Sequence, residues 1–166
     1  MSHNLVGRTL SIWQMHISRK HDRLSAMPHL LISVQTDETP PGFEISIENT
    51  GIGPAIIKSF DVFFDGRHMA PFEHTEWLAI IDLLELDGKV LGMSIDSEDY
   101  LQIGKTYPLL SFKSKNKGLT LRQMRQALQR LQIKIKYASI FGDIKTAEFE
   151  VPTSIFDCFK TDDDKI

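Results

Sequence analysis

Phe43-Glu44-Ile45-Ser46-Ile47-Glu48-Asn49-Thr50-Gly51-Ile52-Gly53-Pro54-Ala55 carries the fold of this chain in thirteen residues. Phe43, Ile45 and Ile47 alternate with Glu44, Ser46 and Glu48, the period-two pattern of a strand with one buried and one wet face. Asn49 to Pro54 is turn chemistry, with two glycines free to take positive φ and a proline that fixes the exit. A second strand follows over residues 55–64, rich in β-branched and aromatic side chains. Asp65-Gly66 after it is a tight hairpin signal leading into residues 67–70. The sheet is therefore antiparallel here.

Outward from this centre the strand pattern continues. Leu30, Ile32 and Val34 alternate with Leu31, Ser33 and Gln35, and residues 36–42, with Pro40 and Pro41, read as a loop. Residues 75–86 change period, because Trp77, Ile80, Ile81 and Leu84 fall on one helical face. Thr75 suits the N-cap of that helix and Gly88 its left-handed C-terminal position. Residues 89–95 and 105–112 read as strands separated by an acidic turn.

Thr120 and Gln123 then form a capping box with Leu119 and Met124 as hydrophobic staple, so a helix starts at Leu121 with Leu121, Met124, Leu128 and Leu131 as its stripe. Residues 131–141 alternate as a long strand, Gly142-Asp143 turns the chain, and Ala147, Phe149 and Val151 line the returning strand. Ahead of all this, Leu5, Thr9, Ile12, Trp13, His16 and Ile17 sit at near-helical spacing in a segment that ends before Pro28. The expected fold is mainly β: an antiparallel immunoglobulin-like β-sandwich of about seven strands with two short helices and an N-terminal helix. It divides into a basic helical arm (1–27), the β-sandwich domain (28–152) and an acidic tail (153–166) with Asp162, Asp163 and Asp164.

Composition bounds the function classes. The 166 residues are 42% hydrophobic and 25% charged, with a net charge of −3, which fits one globular domain and excludes a disordered chain. A single cysteine, Cys158, excludes a disulfide scaffold, and 10 glycines with 7 prolines exclude collagen-like sequence. Arg8, His16, Arg19, Lys20 and Asp22 interrupt the N-terminal apolar residues, so neither a membrane span nor a signal peptide is expected and the location reads as cytoplasmic.

No catalytic or cofactor signature stands in the sequence. Asn49-Thr50-Gly51-Ile52-Gly53 lacks the third glycine of a dinucleotide fingerprint, since position 56 is Ile56, and a strand follows where that motif needs a helix. Asn49 also replaces the adenine-binding aspartate of the histidine-kinase type of ATPase. His16 and His21 are five apart and His68 and His74 straddle Pro71, which are not ligand spacings, so no metal and no cofactor is expected.

Charge segregation says more. Residues 113–136 hold eight bases and no acid, and Lys113, Lys115, Lys117, Arg122, Arg125 and Arg130 are the candidate patch for an anionic partner. Residues 73–99 invert the sign, with Glu73, Glu76, Asp82, Glu85, Asp87, Asp96, Glu98 and Asp99 against Lys89. The plain alternative is two solvated faces paired with each other. Nucleic acid is disfavoured, because Phe112 and Tyr137 read as core-facing rather than as stacking platforms.

Four phrases carry a resemblance: Arg19-Lys20-His21-Asp22-Arg23-Leu24-Ser25-Ala26-Met27-Pro28-His29-Leu30, Asn49 to Lys58, Phe64-Asp65-Gly66, and Tyr137-Ala138-Ser139-Ile140-Phe141-Gly142-Asp143. Together they resemble a family of small uncharacterised bacterial proteins in which an N-terminal membrane helix precedes a basic His-Asn-Arg-Leu-Ser-Val-x-Pro stretch and a β-rich domain. Here Asp22 stands at the asparagine, and residues 5–17 are at most the end of such a helix. The resemblance implies a domain on the cytoplasmic face of the inner membrane, with peripheral membrane contact through the arm. The functional expectation is a non-enzymatic module that binds a protein partner. The alternatives are a small enzyme whose site is built from residues distant in sequence, and a nucleic-acid or lipid binder through residues 113–136.

Overall fold

A computed structural model of the chain describes residues 26–69 and 76–149. Its elements in chain order are β1 (Leu30–Glu38), β2 (Pro41–Asn49), β3 (Ala55–Phe64), β4 (Arg67–Met69), α1 (Glu76–Leu83), β5 (Gly88–Gly92), β6 (Tyr100–Leu101), β7 (Thr106–Ser114), α2 (Leu121–Leu128), β8 (Leu131–Ala138) and β9 (Ile144–Phe149). All pairings are antiparallel, in two sheets: β1-β2-β7-β5, and β4-β3-β8-β9 with β6 added on β3. The mainly β architecture with two short helices is the one the strand periodicity predicts. The described residues hold nine strands rather than about seven, the surplus being the short β4 and β6.

Alternation sends one side chain in two to a shared interior. Ile45 and Ile47 of β2, Leu110 and Phe112 of β7, Ile57 and Val62 of β3, and Ile133 and Ile135 of β8 are all buried in one hydrophobic cluster. The two sheets therefore share a single core. Tyr137 of the second sheet reaches across it, its hydroxyl accepting from the Leu30 N–H of the first at 3.4 Å.

α1 fills the space beside β5. Trp77 is fully buried, donates its indole N–H to the Met93 carbonyl at 3.0 Å, and meets Phe60 of β3 edge-on at 6.5 Å. A side chain at Gly92 would collide with the Trp77 ring, so the glycine makes room for the tryptophan. α2 begins with the expected capping box: Thr120 Oγ1 accepts from the Gln123 N–H at 3.3 Å, and the Gln123 side chain accepts from the Thr120 N–H at 2.9 Å.

Beyond shifts of strand ends, with β8 stopping at Ala138 rather than residue 141 and β5 at Gly92 rather than residue 95, the structure departs from sequence expectation at three places. Residues 36–42 are not a loop; β1 and β2 run to a two-residue connection at Thr39-Pro40, with Pro41 already in the strand. Gly88 does not end α1 but starts β5, and the left-handed position falls on Glu85 at φ 57°. There the Leu86 N–H returns to the Ile81 carbonyl at 3.1 Å and the Glu85 N–H to Asp82 at 3.0 Å, a Schellman closure without glycine. Tyr100–Leu101, inside a stretch read as connection, pairs with Ala55 and Ile56 as β6. The helix expected over 5–17, the Thr75 cap and the 153–166 tail lie outside the described residues.

Candidate functional site

The Asn49-Thr50-Gly51-Ile52-Gly53 turn is densely bonded around a buried polar side chain. The Asn49 side chain is wholly buried at the end of β2. Its Nδ2 donates to the carbonyls of Gly53 (2.8 Å) and Leu101 (3.0 Å), and its Oδ1 accepts from the N–H groups of Gly51 (3.1 Å) and His29 (3.3 Å). That is the side-chain amide's donor and acceptor capacity used in full.

The neighbouring residues complete a clamp on the segment that leads into β1. The Thr50 N–H bonds to the His29 carbonyl at 2.8 Å and the Ile52 N–H to Met27 at 3.1 Å. A Cβ on Gly53 would strike the Ala26 carbonyl, and one on Gly51 the backbone of residues 27–29. Neither glycine takes the positive φ that the sequence suggested; both serve close backbone approach instead.

The six candidate anion-binding residues are distributed over β7, the turn after it, α2 and the residue before β8. Lys113 lies exposed on β7, directly opposite Lys89 of β5. Lys115 pairs with Asp87 at 3.2 Å, and Lys117 is exposed in the turn before α2. Arg122 is exposed and Arg125 half-buried on α2. Arg130 stands in the turn just before β8, where its guanidinium grips both Asp65 oxygens (2.7 and 3.0 Å), donates to the Leu83 carbonyl at 3.3 Å and covers the Phe64 ring at 4.5 Å. Lys134 and Lys136, from the same linear block, belong to the other sheet from Lys113. The Lys115–Asp87 pair joins the basic stretch to the acidic one, as the plain reading of opposed faces requires.

Arg130 and Asp65 also line a surface groove of about 550 Å³ with Gly66, Gln126, Gln129, Leu131 and Gln132. The hydrogen bond and charge of Arg130 hold the Asp65 carboxyl below the ordinary carboxylate range, and Asp65 in turn raises Arg130. The guanidinium's donors face protein acceptors here, so the pair closes the β3–β4 turn onto the C-terminus of α1.

A serine, an aspartate and a histidine converge on the outer face of the second sheet. Ser59 Oγ donates to Asp61 Oδ2 at 2.8 Å, and His68 Nε2 meets Asp61 Oδ1 at 3.0 Å. The carboxylate stands between the other two. A nucleophile–base relay needs the imidazole on the hydroxyl, so this order does not activate Ser59.

Exposed large apolar side chains occur on β5 and α1 and in the turns at one end of the two sheets. Leu91 is 72% exposed on edge strand β5, with Met93 after it and Leu78 and Leu83 on α1, the helix packed against that strand. At one end of the two-sheet body, Ile52 is 61% exposed, Ile103 52%, Ile140 53% and Phe141 42%. Sequence reasoning passed over these four. The signal was present, since Ile52 lies between Gly51 and Gly53, Ile103 precedes Gly104 and Phe141 precedes Gly142, each an apolar residue in a glycine turn where strand periodicity no longer buries it. Among the described residues no helix is long and apolar enough to cross a membrane, and no cluster of three metal-ligating side chains occurs. Comparison with protein-family models and with curated proteins returned no match to this chain.

Proposed function

We propose that the chain is a non-enzymatic protein-interaction module, an immunoglobulin-like β-sandwich related to the bacterial family its phrases resemble and held at the cytoplasmic face of the inner membrane. The observation that carries this reading is β5, which ends the first sheet among the described residues and carries Leu91, 72% exposed. An edge strand has backbone groups free on one side, and an apolar side chain on it favours pairing with another chain. Strand addition supplies main-chain hydrogen bonds, and the apolar positions beside it supply selectivity. An extended apolar segment is the partner such an edge suits.

The divided basic block gives the reading through residues 113–136 less support, because Lys115 and Arg130 are engaged with Asp87 and Asp65. The test is affinity capture from a bacterial lysate with the wild-type chain and with Leu91→Arg, an exposed position where the substitution leaves the core intact. The proposal expects one stoichiometric protein on the wild type and its loss from the variant. Identical captured sets would refute it.

A further inference from the structure

We infer that the apolar end of the body, carrying Ile52, Ile103, Ile140, Tyr100 and Ile144, is the docking surface for residues 5–24 of this same chain. The inference goes beyond the partner reading above and is independent of the β5 edge.

Register gathers this surface. Leu30 pairs with Asn49 and Glu48 with Thr106, so the start of β1, the end of β2 and the start of β7 coincide. Asn49 joins them to the other sheet through Gly53 and Leu101, and the Gly104 N–H bonds to the Asn49 carbonyl at 2.8 Å. The connections at 50–54, 102–105 and 139–143 therefore lie at one end, and Ile52, Ile103 and Ile140 in them are each more than half exposed.

An apolar row continues this end onto the outer face of the second sheet. Tyr100 of β6, Ile56 of β3, Ala138 of β8 and Ile144 of β9 share one rung, while Leu101, Ile57 and Tyr137 beside them along their strands belong to the core. Tyr100 is 63% exposed and Ile144 69%. Four strands span about 14 Å. The next rungs on the same face are polar, Ser59-Lys136-Thr146 and Asp61-Lys134-Glu148, so the apolar row belongs to this end alone.

The chain enters the body at the same place, with Ala26 against Gly53 and the carbonyls of Met27 and His29 accepting from Ile52 and Thr50. Leu24 is two residues before Ala26 and Ile17 nine, so full extension allows them no more than roughly 7 and 32 Å of separation from it. Ahead of them Leu5, Ile12 and Trp13 complete an apolar stripe at near-helical spacing, and such a stripe needs a surface to cover it. A segment on so short a tether is present at about millimolar effective concentration, which sets it ahead of a free partner for an apolar surface beside its attachment.

Charge selects the same occupant. The charged side chains described at this end are Glu48, Asp96, Glu98, Asp99 and Asp143 against Lys58, Lys105 and Lys145, an excess of acid. The segment carries Arg8, Arg19, Lys20 and Arg23 against Asp22, an excess of base. Opposite signs steer the segment onto this end, and the acid repels an anionic surface from it.

The chain has two tryptophans, Trp13 and Trp77, and Trp77 is wholly buried in the body. Acrylamide quenching of the full chain, with a Trp13→Phe variant supplying the Trp77 background, therefore reads how far Trp13 is covered. Wild-type Trp13 is expected to be quenched severalfold less than in urea, at every protein concentration. Ile103→Lys with Ile144→Lys, both at exposed positions, should raise the quenching constant severalfold while circular dichroism stays that of the wild type. Arg19→Glu with Lys20→Glu and Arg23→Glu should raise it too, and decides the matter should the first variant lose its fold. Leu91→Lys should quench as the wild type does. Trp13 as accessible in the native chain as in urea overturns the inference. So does shielding that survives both sets of substitutions, shielding lost when a dimer is diluted, or shielding that arises only when vesicles of phosphatidylglycerol are added.

Discussion

Replacing Asn49 by aspartate exchanges one NH2 group for an oxygen at a fully buried site, and the surroundings make the consequence calculable. The Asn49 Nδ2 donates to the carbonyls of Gly53 at 2.8 Å and Leu101 at 3.0 Å. A carboxylate would set an anionic oxygen against both acceptors with no water to screen it, so the folded state takes the aspartate protonated and raises its pKa. Neutralising a group of ordinary pKa about 3.9 at neutral pH costs about 4 kcal/mol, and the carboxylic acid still lacks one of the two donors, at about 1 kcal/mol.

Asn49→Asp should therefore lose about 5 kcal/mol at neutral pH, comparable to the whole stability of many domains. The sign of the pH effect is fixed by the raised folded pKa: the folded variant binds its proton more tightly than the unfolded one, so its deficit shrinks as pH falls. The slope is about 1.4 kcal/mol per pH unit from neutrality down to the ordinary aspartate pKa. Asn49→Ala, which strands the same partners without adding an ionisable group, should cost about 4 kcal/mol with no such slope. Urea unfolding of the three proteins across that pH range reads both numbers. An Asn49→Asp protein within about 0.5 kcal/mol of the wild type at neutral pH, or a deficit that does not change with pH, would falsify the argument.

Other perturbations probe the remaining contacts. Gly53→Ala, which drives a methyl group into the Ala26 carbonyl, should release the segment 26–29 and speed hydrogen exchange at the Thr50 and Ile52 amides, while the Ile133 and Ile135 amides keep their protection. Arg130→Gln should lower the melting temperature at neutral pH. Because Asp65 has a depressed folded pKa, its contribution is present above the ordinary carboxylate range and disappears as pH falls through the folded value, so the two melting curves should converge in acid; a constant gap would deny the Asp65–Arg130 pair its role. Thr120→Ala removes the N-cap of α2 and should cost about 1 kcal/mol in chemical denaturation, with a null effect contradicting the capping box.

Local chemistry made much of the fold legible. β3 and its hairpin follow from β-branched and aromatic residues and Asp65-Gly66, and the start of α2 from Thr120 and Gln123, because in each case the decisive residues are neighbours in sequence. Pro40 and Pro41 misled for the same local reason: a proline pair reads as a loop, yet Pro41 lies on edge pairing with Glu38 and the hairpin closes around it. Gly88 looked like the helix stop, but Glu85 accepts the left-handed turn because Ile81 and Leu86 are both buried as it closes.

The site was less legible still. Asn49 was visible as a turn residue, whereas its partners His29 and Leu101 lie 20 and 52 positions away. The run from Lys113 to Lys136 looked continuous because a linear stretch of charge carries no record of the sheet change between β7 and β8.

The backbone clamp on 26–29 also settles how a pull on the N-terminus would be borne. Tension reaching residue 26 is taken up first by the Ile52–Met27 and Thr50–His29 bonds, then by β1, whose nine rungs run from Leu30 opposite Asn49 to Glu38 opposite Pro41. Force directed along β1 loads those rungs in parallel, as a lap joint is loaded, while force at right angles peels them singly. A body loaded this way resists axial strain far better than sideways strain, and residues 26–29 leave no swivel between the clamp and the first strand.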